Sequence, residues 1–390
     1  MPWKEINPMD QRVLFVADYL REQYNFSQLC ARYSVSRKTG YKWVERYLDS
    51  GVDGLGERSR RPLSQPTQVP YAIREAIVQL RGSRATELGP KKIQASLRTR
   101  FPDQPVPSVS TIYNVLKRAG LVVPRRTRAR VARSGALTAD IAEPNGLWSA
   151  DFKGQFRTGQ GQWCYPLTVM DHASRYLLCC QSLPGTQGAP TRAAFERLFR
   201  HYGLPERLRT DNGVPFASLG TAGLSRLSIW WIHLGIIPER ITPGRPQQNG
   251  RHERMHRTLK RAVTDPPAAS LDAQQRSFER FRAHYNTERP HESLGQRTPA
   301  SVYQLSPRPY PRRLPELAYP SYMHTHRVCE SGLIYWNAWR IYVGYLLAGD
   351  LVGVEAVDDG VWAVHFGPVL LGRIDARTLN KDEDYLTVKL

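Results

Sequence analysis

The chain has 390 residues, and its 55 basic against 35 acidic side chains give a formal net charge of +20. No apolar run reaches the roughly 20 residues that span a bilayer, no secretory leader pattern opens the sequence, and 5 cysteines are too few for a disulfide framework at this length. These features exclude the membrane-spanning and secreted classes and favour a cytoplasmic protein of several domains.

The positive charge is concentrated in residues 1–320. Residues 321–390 contain 6 basic and 9 acidic side chains, so their own balance is −3. Zinc is not expected, because the cysteines lack paired spacing and the first histidine is His172. We expect the basic part of the chain to bind a polyanion, and nucleic acid is the commonest one.

The first predicted domain, residues 1–57, is a helix-turn-helix unit. Asn7 and Pro8 mark the start of its first helix, a short helix follows at 27–33, and Ser36 caps a third helix that ends before Gly51. Apolar residues at helical spacing form the predicted core, namely Leu29, Tyr33, Val35, Val44 and Leu48. Side chains suited to reading a DNA groove lie at the front of the third helix, namely Arg37, Lys38, Thr39 and Lys42.

The same plan recurs over residues 67–122, with helices predicted at 71–81, at 91–100 and from Ser108 to Gly120. The outward residues of its third helix are Thr111, Asn114, Lys117 and Arg118. A basic linker, residues 123–144, follows. It is either a solvated linker or lies along a phosphate backbone or in a minor groove, and its candidate DNA contacts are Arg125, Arg126, Arg128 and Arg130. Either unit alone could be an ordinary helical bundle with a solvated face. Two in tandem on a basic chain favour DNA binding.

From Leu147 the hydrophobic period changes to that of strands. Three strands joined by short turns precede alternating helices and short strands, which predicts a mixed α/β sheet with helices on its faces over residues 145–265. Residues 266–305 are predicted to be a helical segment, and residues 306–320 a proline-rich spacer. Short β-rich segments between Gly and Asp turns predict a small closed β-barrel over residues 321–390.

Three acidic residues stand out in the α/β region. Asp151 lies among apolar neighbours inside the first strand, Asp211 ends the fourth strand, and Glu253 lies in the first turns of a long helix. If the first and fourth strands are neighbours, both aspartates emerge at one sheet edge, and the helix can bring Glu253 to them. Each acid alone has an ordinary explanation, as an edge-strand charge, a turn residue or a partner of the helix dipole. Their joint order predicts a site.

Clustered carboxylates repel one another, so such a site requires protons or cations. Hard oxygen ligands suit Mg²⁺ or Mn²⁺, and two such ions can clamp a phosphodiester. We therefore predict that Asp151, Asp211 and Glu253 are both catalytic residues and ligands of two Mg²⁺ or Mn²⁺ ions per site, for phosphoryl transfer on nucleic acid. Further DNA contacts are expected on the helix of Glu253, from Asn249, Arg257 and Lys260.

The motifs around these acids resemble those of a known family. Asp-Asn-Gly stands at 211–213, Pro-Gln-x-Asn-Gly-x-x-Glu at 246–253, Tyr-Asn at 285–286 and Arg-Pro-His at 289–291. Over roughly residues 10–305 the sequence is similar to the DDE transposases of bacterial insertion sequences, which share a retroviral-integrase-type core.

The resemblance implies an RNase H-like fold, Mg²⁺ dependence and recognition of the terminal inverted repeats of a mobile element. It also implies that the partners are double-stranded DNA, at element ends and target, and further copies of the chain, assembled as a dimer or larger on DNA. A location with the bacterial nucleoid in the cytoplasm follows from those partners.

The sequence departs from the family pattern in one place. Residues 212–252 separate Asp211 from Glu253, several more than is usual, and the excess is expected in the loop 217–225, which can lengthen at small free-energy cost. Glu239 is the alternative third ligand, but it precedes the helix and lacks the motif. Two other functions stay open, namely a catalytically inactive DNA-binding regulator and a metal-dependent nuclease of the same fold.

Overall fold

The computed structural model describes residues 7–59, 68–82, 88–122, 143–242, 249–337 and 339–377, together with the backbone of Leu386–Thr387. Two compact units divide the chain, Met1–Gln68 and Val69–Leu390. Within the described residues, no helix is both long enough and apolar enough to cross a bilayer.

The first unit contains three helices, α1 Pro8–Leu20, α2 Phe26–Arg32 and α3 Arg37–Ser50. Each begins at a side chain that accepts a backbone N–H hydrogen bond, namely Asn7, Asn25 and Ser36. The helices enclose a small core made of Phe15, Val16, Leu29, Cys30, Trp43, Val44 and Leu55. The predicted trihelical arrangement is confirmed.

The prediction that Leu48 belongs to this core is wrong, because its side chain is 70% exposed. After α3 the chain turns at Gly51, which has a φ of +61°, into a short 3-10 helix, Gly51–Leu55. Leu55 at the end of that turn is fully buried and supplies the leucine that the core requires.

The second unit begins with another three-helix arrangement, α4 Tyr71–Gly82, α5 Pro90–Arg100 and α6 Val109–Arg118. The third helix starts as α3 does. Ser108 Oγ accepts from the Thr111 N–H at 3.2 Å, and Ser36 Oγ accepts from the Thr39 N–H at the same distance. The two helices that would enter a DNA groove therefore begin at equivalent caps.

The central sheet is mixed, as predicted. Its strands are β1 Leu147–Phe152, β2 Phe156–Arg157, β3 Trp163–Asp171, β4 Leu177–Leu183, β5 Arg207–Thr210 and β6 Ile237–Arg240. Their order is β4-β3-β1-β5-β6, and β2 also pairs with β3. The pairs β1–β5 and β5–β6 are parallel, whereas β1–β3 and β3–β4 are antiparallel.

Helices cover both faces of this sheet, namely α7 Gly188–Tyr202, α8 Arg226–His233, α9 Gly250–Val263 and α10 Leu271–Thr287. Alternation along β3 sends Leu167 and Val169 towards α7 and α8, and Cys164 and Met170 towards α9 and α10. The sheet is thus the middle layer of three.

The C-terminal strands are β7 His324–Arg327, β8 Leu333–Trp336, β9 Trp339–Tyr342, β10 Leu351–Asp358, β11 Val361–Phe366, β12 Val369–Asp375 and β13 Leu386–Thr387. The predicted closed barrel is not confirmed. In the part of the chain that the structure describes, hydrogen bonds form two separate sheets, β12-β11-β10-β7 and β13-β9-β8. Both sheets bury their apolar residues in one shared core. The alternation of apolar and polar residues along these strands is compatible with two packed sheets as well as with a barrel.

The C-terminal sheets pack directly on α8. Ile229 and Ile232 of α8 belong to the core that the two sheets share. His233 Nε2 lies 3.0 Å from Asp350 Oδ1, and its Nδ1 lies 3.3 Å from the Pro315 carbonyl oxygen. The proline-rich segment also follows the central domain, since the Leu204 N–H donates to the Arg308 carbonyl at 2.7 Å.

The His233–Asp350 contact makes stability depend on pH. The hydrogen bond that His233 donates to Asp350 raises the pKa of His233 above 6.5, so the stabilisation from this bond is present below pH 6.5 and is lost as the pH rises through the raised pKa. We expect the loss to be about 1 kcal/mol, measured as a fall in the melting temperature of the transition that unfolds this domain. His233→Gln should lack the fall, and the exposed His201→Gln should retain it. The same pH dependence in His233→Gln and wild type would contradict the assignment.

Candidate active site

The parallel pairing of β1 with β5 positions the two aspartates. Ser149 pairs with Arg209 in the register of these strands. Asp151 follows Ser149 by two residues within β1, so it points to the same sheet face. Trp148, Ala150 and Leu208 point to the opposite face, into the core under α7 and α8. Asp151 therefore lies on the face that α9 covers, and Asp211, which directly follows β5, is near enough for its charge to raise the pKa of Asp151.

Asp151 lies among polar groups from α9 and β3. The Asn249 Nδ2 group is 3.4 Å from Asp151 Oδ2, and His256 Nδ1 is 3.7 Å from the same oxygen. The Thr168 hydroxyl donates to the Asp151 backbone carbonyl at 3.0 Å. The helix of Glu253 is thus held over β1 by contacts at both of its first two turns.

The charges of Asp211 and Glu253 act on Asp151. The pKa of Asp151 is raised to about 7, chiefly by burial and then by the negative charges of Asp211 and Glu253, whereas the Phe152 backbone N–H and Lys153 oppose the shift. A carboxyl group with this pKa is half protonated at neutral pH. The arrangement is one that favours a bound cation.

Asp211 and Glu253 remain open to solvent at this edge. Asp211 is half-buried, and its Oδ1 accepts the Gly213 N–H at 3.1 Å, which orients the carboxylate after β5 ends. Glu253 is exposed on the first turns of α9. A ligand can therefore reach all three acids from the solvent side.

Two buried histidines lie beneath Asp151. The pKa of His252 is lowered to about 3 by burial, and that of His256 to about 2 by burial and by the neighbouring imidazole, so both are neutral at physiological pH. The Nε2 atoms of His252 and His256 lie 2.6 Å and 2.7 Å from Thr168 Oγ1. His252 Nδ1 lies 2.9 Å from Ser149 Oγ. His252 therefore fixes α9 to the sheet.

The hydrogen-bond network assigns the protons of these rings. Because the Thr168 hydroxyl donates to the Asp151 carbonyl, its lone pairs accept N–H groups from both Nε2 atoms. His256 Nδ1 is then unprotonated and faces Asp151 Oδ2. One oxygen and one nitrogen lone pair converge there, and ligand atoms of Asp151, His252 and His256 lie within 4.8 Å of one another. Both ring nitrogens of His252 are already hydrogen-bonded. The atoms of this group that a cation could contact are therefore Asp151 Oδ2 and His256 Nδ1.

Glu239, the alternative third ligand, has other partners. Its Oε1 accepts from Arg207 NH1 at 3.0 Å, and its Oε2 accepts from Arg209 NH2 at 2.9 Å. These ion pairs link β5 to β6 across their parallel register. Glu239 therefore stabilises the sheet edge beside the acids.

The predicted DNA-contacting side chains on α3 and α6 lie on the outer surface of their helices. Arg37, Lys38, Lys42, Asn114, Lys117 and Arg118 are exposed, while Thr39 and Thr111 are half-buried. The half-buried position of the threonines has a structural cause, since each shares a hydroxyl hydrogen bond of 2.9 Å with its cap, Ser36 or Ser108. Lys42 Nζ lies 4.3 Å from the centre of the Trp43 ring.

The remaining predicted contacts divide into three groups. Arg257 and Lys260 are exposed on α9, and Asn249 is buried beside Asp151. Arg125, Arg126, Arg128 and Arg130 lie outside the described residues.

Sequence reasoning missed the polar layer between α9 and the sheet. Ser149 and Thr168 are buried polar residues in otherwise apolar strands, and His252 and His256 are four residues apart on one helix face. The i, i+2 pair Ser149 and Asp151 was a usable signal, because both interrupt the outward face of an apolar strand. Their partners in α9 could not be matched without the fold.

Comparison with known proteins places these features in a family. Integrase core domain models match residues 142–246 and 234–299, and homeodomain-like domain models match residues 8–56 and 39–116.

The curated relatives include two insertion-element proteins. An uncharacterized 39.2 kDa protein of insertion element IS476 from Xanthomonas euvesicatoria is 29% identical over 251 residues, covering 63% of this chain and 69% of the relative. An uncharacterized 31.7 kDa protein of IS407 from Burkholderia multivorans is 28% identical over 192 residues, covering 48% of this chain and 66% of the relative. The chain thus spans about two thirds of the length of these relatives.

Among solved structures, the HTLV-2 integrase catalytic core domain in complex with magnesium matches 42% of this chain and 98% of its own, with 17% identity and a TM-score of 0.33. The domain matches and the insertion-element relatives agree with the motifs in the sequence. The chain is thus similar to insertion-element proteins and carries two homeodomain-like matches ahead of an integrase core match, in agreement with the DDE-type insertion-sequence transposases that its motifs resemble.

Proposed function

We propose that this protein binds the terminal inverted repeats of its insertion sequence and catalyses metal-dependent cleavage and strand transfer at the element ends. One observation carries the proposal. Asp151 and Asp211 follow matched positions of paired parallel strands, and both Asp211 and Glu253 raise the pKa of Asp151 by charge repulsion. Three carboxylates in one electrostatic group at a sheet edge are the donor set of a divalent-cation site.

The residues fit Mg²⁺ or Mn²⁺, with Asp151, Asp211 and Glu253 as the proposed ligands and two ions as the proposed number. When bound, the ions activate the attacking oxygen and stabilise the leaving oxygen of a phosphodiester. The side chains of the protein supply the rest. Asn249 orients Asp151, His252 holds α9 against the sheet, and Arg257 and Lys260 on the exposed side of α9 bind phosphates.

Sequence recognition is assigned to the helix-turn-helix units, because a carboxylate and metal site contacts only the DNA backbone. The exposed side chains of α3 and α6 are the proposed readers of base edges. Cutting two element ends and joining them to a target requires two active sites. We therefore propose that the protein acts as a dimer or larger assembly on DNA.

Removing one carboxylate charge should stabilise the metal-free protein. The pKa of Asp151 is raised from 3.8 to about 7, so the fold loses stability as the pH rises through this range. At pH above 7 with EDTA, we expect Asp151→Asn to melt a few degrees higher than wild type, at about 2–4 °C per kcal/mol. Added Mg²⁺ should raise the melting temperature of wild type and leave that of Asp151→Asn unchanged.

The exposed Asp272→Asn on α10 is the matched control, and it should behave as wild type in both conditions. Equal melting temperatures and equal Mg²⁺ responses for wild type and Asp151→Asn would count against the cation site.

Catalysis is tested on duplexes that carry the inverted repeats flanking the gene. Asp151→Asn, Asp211→Asn and Glu253→Gln should each reduce Mg²⁺-dependent end cleavage by more than about 100-fold while retaining DNA binding. Glu279→Gln, an exposed residue of α10, is the control and should cleave at the wild-type rate. Loss of cleavage in Glu239→Gln with retention in Glu253→Gln would reassign the third ligand.

The same assay separates the alternative functions. Strand transfer of pre-cut ends by wild type supports a transposase, whereas cleavage without transfer indicates a nuclease. Specific binding without either reaction, under conditions where wild type is folded and Mg²⁺ is present, indicates an inactive regulator.

Recognition is tested on α6. Asparagine pairs with adenine in the major groove through two hydrogen bonds, which are worth about 1–3 kcal/mol of discrimination. Asn114→Ala should therefore weaken binding to the inverted repeat by that amount and leave binding to random duplex unchanged, as measured by fluorescence anisotropy. Gln79→Ala on α4 is the control, and it should alter neither affinity. An equal loss on both duplexes would show that Asn114 does not read sequence.

A further inference from the structure

Basic side chains from four separate segments converge beside α9, and we call them the basic junction. They come from α5 of the second helix-turn-helix unit, the turn between β3 and β4, α9, and the segment after α10. The members are Lys91, Lys92, Arg175, Arg251, Arg254 and Arg289.

Hydrogen bonds bring these cations close together. Arg175 NH1 and Arg251 NH1 both donate to the His172 carbonyl oxygen, at 2.6 Å and 3.3 Å. Two guanidinium groups therefore share one acceptor. Lys91 Nζ lies 2.7 Å from Glu292 Oε1, which ties α5 to the segment after α10.

The charges of the junction repel one another. Burial, followed by Arg289 and Arg254, lowers the pKa of Lys92 to about 8. Burial, followed by Arg251 and then Arg254, lowers the pKa of Arg175 to about 10. Because Lys92 and Arg175 each interact with Arg254, the segments form one electrostatic group rather than separate surface charges.

Two acids offset part of this charge, since Asp171 acts to raise the pKa of Arg175 and Glu292 acts to raise that of Lys92. Asp171 is fully buried and accepts from the Asn145 N–H and from both the N–H and hydroxyl of Ser174, at 2.6–2.8 Å. Glu292 pairs with Lys91. The junction also includes the N-terminus of α5, where Gly89 is the cap and no side chain of the described residues accepts a capping hydrogen bond. The helix dipole adds to the positive potential there.

We propose that the basic junction binds the phosphate backbone of duplex DNA as it passes from the second helix-turn-helix unit to the catalytic edge. Arg254 directly follows Glu253 on α9, and Lys91 and Lys92 begin the helix that precedes α6. The junction thus lies between the proposed reader of sequence and the proposed catalytic acids. Phosphates in this place would neutralise the repulsion that the free protein bears. The inference rests on the proposed function only in that the anion is DNA.

The test measures binding without catalysis. Full-length protein in EDTA is titrated into a labelled random-sequence duplex of about 40 base pairs at salt concentrations from about 50 to 200 mM. Each phosphate contact contributes about 0.9 to the slope of log K against log salt concentration. Lys92→Gln/Arg254→Gln should lower that slope by about 2 and weaken binding roughly tenfold at low salt. The charge-conserving Lys92→Arg/Arg254→Lys should keep the slope within about 0.5 of wild type.

The control removes two exposed charges elsewhere on the same unit, in Arg312→Gln/Arg313→Gln. It should leave the slope unchanged. Without DNA, Lys92→Gln/Arg254→Gln should melt at or above the wild-type temperature at low salt, since the substitutions relieve repulsion. A misfolded variant would melt lower, and in that case Arg254→Gln alone, at an exposed position, should lower the slope by about 1.

An unchanged slope in the double variant and in Arg254→Gln would overturn the proposal, as would an equal loss in the control. The proposed function fails on different evidence, namely absence of cleavage and transfer by wild type. A reduced slope in a protein without catalytic activity would therefore support the junction while refuting the transposase activity.

Discussion

The register between β1 and β5 is the constraint on which the site depends. Parallel pairing of Ser149 with Arg209 brings Asp151, two residues further along β1, and Asp211, directly after β5, close enough for their charges to interact. Repulsion between these two carboxylates destabilises the fold. Burial of apolar side chains on the other face of the sheet, including Trp148 and Trp231, offsets that destabilisation. The fold imposes proximity on the acids, and the acids in turn favour a cation.

The layer of polar side chains under α9 explains how the third acid is positioned. A helix that packed by apolar contacts alone, through Met255 and Leu259, could slide or rotate slightly. The bonds from His252 to Ser149 and Thr168 define one rotation about the helix axis. The free-energy cost of burying these polar groups is small because each has a hydrogen-bond partner. The resulting hydrogen bonds orient the helix that carries Glu253.

Local features of the chain were predictable, and long-range ones were not. The caps Asn7, Ser36 and Ser108 and the change of period at Leu147 identified elements within a few residues, because these signals act over one helical turn or one strand. Leu48 was wrongly predicted to be buried, because the tight turn after Gly51 places Leu55 in the core instead. The pairing of the C-terminal strands was beyond reach, since alternation fixes which side of a strand is buried and not which strands are neighbours.

The site shows the same division. Asp151 was identifiable as a charge inside an apolar strand, and Glu253 by its motif, but the Thr168–His252–His256 layer depends on where α9 crosses β3. The basic junction was also invisible, because its members come from segments as distant as Lys92 and Arg289. Neighbouring residues of α9 illustrate the result, since Glu253 belongs to a group of repelling acids and Arg254 to a group of repelling cations. Cations relieve the first group and phosphates the second, so a nucleic-acid backbone carrying its divalent ions would satisfy both at once. A single ligand, DNA with its divalent ions, therefore accounts for both groups of like charges on α9.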